Sequence, residues 1–168
     1  MRTRAVIRGW GHLSERVCRY SVPVSVAELR IDLFPLVITS IRGPVLDRDL
    51  DHIFERFEEV YAKKSSFVVL SDLRQVSAVP EAPTRRRIAE WSKAQEDRTR
   101  AYHLGTAMIV RSAVVRGALT AVNWLTRPIT PQPVYTDPRD GAEWCLATLR
   151  AQGLGIPREL EGYCRSVA

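Results

Sequence analysis

Apolar residues recur along this chain in two rhythms, and the switches between them set out its elements. Over residues 47–64, Leu50, Ile53, Phe54, Phe57, Val60 and Tyr61 fall at three- and four-residue spacing, which predicts a helix with one inward face. Asp47 is placed to cap it, acids crowd the first turn and Lys63 and Lys64 follow in the last, all in the sense that suits the helix dipole. Upstream, Val22, Val24 and Val26, then Leu29 and Ile31, alternate with polar residues and predict a strand with one slip in register. The run 36–41 is apolar on both faces and ends at Gly43-Pro44, so it predicts an interior strand paired with the first as a hairpin.

Downstream the alternation of strand and helix continues. Residues 67–71 predict a strand that ends at Asp72, followed by a polar loop over 74–83 holding Pro80 and Pro83. A helix is expected from Thr84, as its cap, to Ala101, with Ile88, Trp91 and Ala94 or Gln95 inward. A buried-type strand at 104–110 precedes a helix capped by Ser112, whose inner face is Val115, Ala118, Leu119, Val122 and Leu125. Pro128 and Pro131 stop it. A short strand at 132–135 leads to Asp137-Pro138, a cap followed by proline at the first helical position, and a helix through Trp144, Cys145 and Leu149 to Gly153.

The order β-β-α-β-α-β-α-β-α predicts an α/β fold: a mostly parallel central sheet, opened by a β-hairpin and covered by helices. The expected division is an N-terminal extension at 1–21, one α/β domain at 22–153 and a C-terminal tail at 154–168, either a short packed turn or unstructured.

Composition narrows the classes. The chain has 168 residues, enough to bury a core without staples. Its net charge of +6 comes almost wholly from arginine, with Lys63, Lys64 and Lys93 the lysines, a bias that does not point to nucleic acid. Cys18, Cys145 and Cys164 are odd in number and widely spaced, which suits neither a disulfide framework nor a metal knuckle, so a reducing cytoplasm is the expected location. No apolar run approaches the roughly 18 residues that span a bilayer. The start of the chain lacks the apolar core and cleavage site of a secretory signal.

Several stretches together resemble the anti-sigma-factor-antagonist, or STAS, fold and its SpoIIAA-like relatives, which include a CRAL-TRIO-like branch. They are Ile41-Arg42-Gly43 at the end of the hairpin, the helix at 47–62, the phrase from Phe67 to Val76, the strand and helix from Met108 to Trp124, and the closing elements with Tyr135 and Trp144. The resemblance covers about residues 24–152 and implies a bacterial signalling or regulatory module that binds proteins. In phosphorylated members of that family an Asp-Ser-Ser-Gly signature carries the acceptor serine. By spacing it falls here on Pro80, Glu81, Ala82 and Pro83, so the hydroxyl is missing.

Candidate chemistry is sparse. No phosphate-binding glycine loop, zinc-protease pair, nucleophile elbow or calcium loop occurs in the sequence. Asp72 is the best-placed acid, with a competing role as a cap of its own loop through an Asx-type bond, and Cys145 is expected to pack as a small hydrophobe. Arg85, Arg86 and Arg87 stand out because cations in a helix's first turn oppose its dipole, each by about 0.3–1 kcal/mol.

The leading expectation is therefore a non-enzymatic interaction module with no metal, cofactor or catalytic residue. It would contact a partner with an acidic surface through Arg74, Glu81, Thr84, Arg85, Arg86 and Arg87. A homo-oligomer is also compatible, since the acidic outer face of the 47–62 helix complements those arginines on a second copy. The alternative is a small-molecule or lipid-binding domain with a pocket lined by Trp91, Met108 and Trp124.

Overall fold

A computed structural model describes residues 26–167. The expectations for the extension at 1–21, for Val22 and Val24, and for the inward side chains of Val122 and Leu125 lie outside the described residues. Among the described residues the strands β1 (Val26–Arg30), β2 (Leu36–Pro44), β3 (Phe67–Ala78), β4 (His103–Ile109) and β5 (Val134–Tyr135) form one sheet in sequence order. The opening hairpin is antiparallel and every later pairing is parallel, which is the architecture expected from the sequence. β5 is short, but Pro131, Pro133 and Tyr135 extend its contact by accepting from the amides of Thr106, Met108 and Val110 at 2.8–3.0 Å.

The period of two along the strands sorts the core onto two faces. Leu36, Ile38, Val68, Leu70, Ala107 and Ile109 point to one side, where Ala142, Cys145 and Leu149 of α5 (Pro138–Ala151) and Leu160 and Cys164 of α6 (Arg158–Ser166) cover them. Val37, Phe67 and Val69 point to the other, against Ile53, Val60 and Tyr61 of α1 (Asp47–Ala62). That second face is continued by α2 (Ala82–Ala94), α3 (Glu96–Tyr102) and α4 (Ala113–Thr126), with Val76, Val110 and Val115 closing a smaller cluster at the carboxyl end of the sheet. Cys145 is fully buried, its thiol pushed up to about 12 by burial and by neighbouring Cys164. It packs as a small hydrophobe.

Four local expectations are corrected. β3 does not end at Asp72. Its last partner on β4 is Ile109, but it continues beside β2 to Ala78 through register shifts near Arg42 and Pro44, so the 74–83 loop shrinks to 79–81. This extension is polar because β4 no longer flanks it, while Leu73 and Val76 still find apolar neighbours. The cap of α1 is Leu46, with Asp49 accepting from the Leu46 amide at 2.9 Å, and Lys63 and Lys64 fall just past the helix end. The helix expected over 84–101 breaks at Gln95 into α2 and α3. The segment expected as a tail folds instead as α6, whose Leu160 and Cys164 complete the core. The caps at Ser112 and Asp137 stand where the sequence places them.

Candidate functional site

Three consecutive residues of an α-helix point about 100° apart, and at the start of α2 this breaks up the arginine cluster. Arg85 turns back to donate to the Pro80 carbonyl at 2.6 Å. Arg87 reaches α1, where it pairs with Asp51 and approaches the Asp47 carbonyl. Only Arg86 stays open, with no hydrogen-bond or ion-pair partner among the described residues. The ties help α2 tolerate cations against its dipole: the charge of Arg87 is met by Asp51 of α1, and Arg85 donates to a backbone carbonyl. Arg98 of α3 likewise pairs with Glu58 at 2.7 Å. Part of the acidic face of α1 is thus met within the chain, which weakens its use against a second copy.

Thr84 is not the cap of α2. The helix begins at Ala82, with Glu81 in the cap position making no side-chain cap bond, and Pro83 in the first turn. Thr84 is buried and donates to Asp47 Oδ1 at 3.2 Å, which ties α2 to α1. Glu81 is exposed.

Asp72 accepts from the Arg74 amide at 3.1 Å and from its guanidinium at 2.9 and 2.7 Å. Burial raises the Asp72 carboxyl, but the Arg74 bonds, helped by Arg111, hold it net below the usual range. It stays ionised and fully engaged, lining neither of the cavities described next, which is the Asx-type role. The expected partner contact Arg74 is occupied by the same bond.

The second face of the sheet carries two adjoining cavities. The outer one is an open cleft of about 640 Å³ between α1, α2, α3 and the segment 127–132. Aromatic rings of Phe57, Tyr61 and Trp91 form one wall, His103 and Thr106 the floor, and Arg86, Lys93 and Arg127 stand around it. The inner one is a smaller chamber of about 200 Å³, similarly open to solvent, between α2, α4 and the end of the sheet, lined almost wholly by apolar groups such as Ile88, Met108, Val115 and Leu119. Ser92 and Gln132 line both, so they mark the boundary between them. The pocket expected from sequence is accordingly split. Trp91 lines the outer cleft, stacked on Phe54 with centroids 4.5 Å apart; Met108 lines the inner chamber; Trp124 lines neither and is 81% exposed.

Lys93, Arg127, His103 and Gln132 are among the lining residues that the sequence reading missed. Arg86 and Lys93 lie two turns apart on one helix face, a signal that was available. Arg127 and Gln132 arrive through an irregular segment that carries no periodicity. Among the described residues, Gln132 Oε1 is buried without a hydrogen-bond partner. Among the described residues no group of three or more His, Cys, Asp or Glu is placed to hold a metal ion, and no helix is long and apolar enough to cross a membrane.

No protein-family model matches the chain, and no curated protein matches its sequence. Solved structures do match. One is an uncharacterised protein of the DUF3478 family with a SpoIIAA-like fold from Shewanella loihica PV-4, at 13% identity over 74% of this chain and 95% of that one, with a TM-score of 0.53. An anti-sigma factor antagonist from Mycobacterium paratuberculosis matches at 12% identity over 73% of this chain and 95% of that one, with a TM-score of 0.46. The fold of this chain is SpoIIAA-like.

Proposed function

We propose that this chain is a non-enzymatic SpoIIAA-like interaction module that takes a protein partner with an acidic surface on the outer face of α4. The observation that carries the reading is the exposure of Trp124, at 81%, and of Val114, at 70%, on one helix. Arg111, Arg116 and Arg127 are exposed along the same stretch, and no acid lies between the first and the last of them. Tryptophan and arginine are the residue types that dominate binding energy when a partner covers them, and the positive rim would set orientation and on-rate. Arg86 and Glu81 remain available at the start of α2, whereas Arg74, Thr84, Arg85 and Arg87 already have partners within the chain. The test is affinity capture with the intact chain, followed by titration of the captured partner. Trp124→Ala is expected to weaken binding by about 2–4 kcal/mol, and Arg127→Glu to slow association. A partner that binds both variants like the parent would refute this surface.

A second reading, a small-molecule or lipid-binding domain, is favoured by the two adjoining cavities. It does not exclude the first, because α4 presents one face outward and another to the inner chamber.

A further inference from the structure

The geometry points to a monoanionic amphiphile as the occupant of the paired cavities: a carboxylate head in the outer cleft with a short acyl chain in the inner chamber. This rests on the ligand-binding reading and adds the chemical class and the orientation. The two spaces adjoin at Ser92 and Gln132 but differ in chemistry, the inner one apolar and the outer one polar and cationic. A purely apolar molecule would leave the outer cations facing it unanswered, and a small anion alone would leave the chamber unfilled. A single molecule with one polar and one apolar end matches both.

The charge of the outer cleft sets the sign of the head. Arg86, Lys93 and Arg127 have no ion-pair partner among the described residues. Of the two acids there, Glu96 is taken by Arg100 at 2.6 Å, which leaves Glu90 alone against the cations. The surplus is positive, and His103 adds nothing to it, since burial lowers its pKa to about 4 and keeps it neutral near pH 7. The boundary between the cavities is polar as well: Gln132 lines both, and among the described residues its buried Oε1 has no hydrogen-bond partner. Chain length is limited by the inner volume, so affinity should rise with each CH₂ until the chamber is full and then level off.

Isothermal titration of the intact chain with hexanoate, octanoate, decanoate, the matching alcohols and inorganic phosphate tests this. Each CH₂ entering the chamber is expected to tighten binding about fourfold, with a plateau within the series, and each alcohol should bind at least about tenfold more weakly than its acid. Arg86→Met with Arg127→Met should abolish the preference for acid over alcohol while keeping the dependence on chain length. Ala118→Leu should bring the plateau to a shorter chain, with thermal melting to verify that each variant is folded. Alcohols binding as tightly as acids would overturn the head assignment, and phosphate binding as tightly as octanoate would overturn the chamber's role; either leaves the ligand-binding reading standing. No heat and no chemical-shift change with any of these molecules would overturn both.

Discussion

His103 gives the sharpest prediction about stability. It opens β4 at the floor of the outer cleft, its ring stacked on Phe67 with centroids 5.1 Å apart and planes 9° from parallel, and with Thr106 Oγ1 3.0 Å from Nε2. Burial, only partly countered by a backbone hydrogen bond at Gly105, lowers its pKa from 6.5 to about 4. Between those values the unfolded chain binds a proton that the folded chain refuses, so stability rises with pH there. The contribution is fully present above about pH 6.5, is lost as pH falls, and the loss levels off below about pH 4. The whole step amounts to about 3 kcal/mol, of which about 2 kcal/mol lies between pH 7 and pH 5. Carboxylates with lowered values, such as Asp72, lose their contributions at more acidic pH and do not obscure this window. Urea unfolding followed by tryptophan fluorescence at pH 7, 6 and 5 measures the slope. His103→Gln, which keeps a polar atom toward Thr106, should flatten it. If the variant loses as much stability as the parent over that range, the partly buried neutral histidine is not its cause.

Two further predictions test the fold that holds the cavities. Leu160→Ala removes a fully buried side chain of α6 and should cost about 2–5 kcal/mol in denaturant unfolding; an effect below about 0.5 kcal/mol, as at a surface site, would mean that α6 is not part of the core. Gly105 has φ +147°, and a Cβ there would sit 2.7 Å from the Pro131 carbonyl oxygen and 2.7 Å from the Trp144 ring, so Gly105→Ala should cost about 2–4 kcal/mol, and an unchanged melting temperature would contradict that close approach.

What the sequence made legible was whatever repeats. The helix at 47–62, the hairpin, the caps at Ser112 and Asp137 and the alternation that implies a parallel sheet all follow from local spacing. The errors come where a neighbour decides. β3 reads as finished at Asp72 because its apolar run stops, yet β2 carries it further. α6 and the Val167 that ends it place Leu160, Tyr163, Cys164 and Val167 at three- and four-residue spacing, but over so short a stretch that the pattern fixes no face until α5 supplies one. Adjacency in sequence made Arg85, Arg86 and Arg87 look like one patch, and the helical rotation sends two of them into the chain. The cavities lie beyond pattern reading altogether, since their walls join α2 and α4 to Gln132 in an irregular segment.

The division of the core between the two faces of the sheet has a consequence for synthesis. Strands β1 to β4 and helices α1 to α4 precede β5 in the chain, so one face can be covered as each strand joins the last. The opposite face, with Leu36, Ile38, Val68, Leu70, Ala107 and Ile109, waits for α5 and α6, which follow every strand. At translation rates of about 5–20 residues per second, that apolar surface stays bare on the ribosome for several seconds after β4 is made. A chain cut short before α5 would therefore keep one whole side of its sheet uncovered, a ready target for chaperones and proteases.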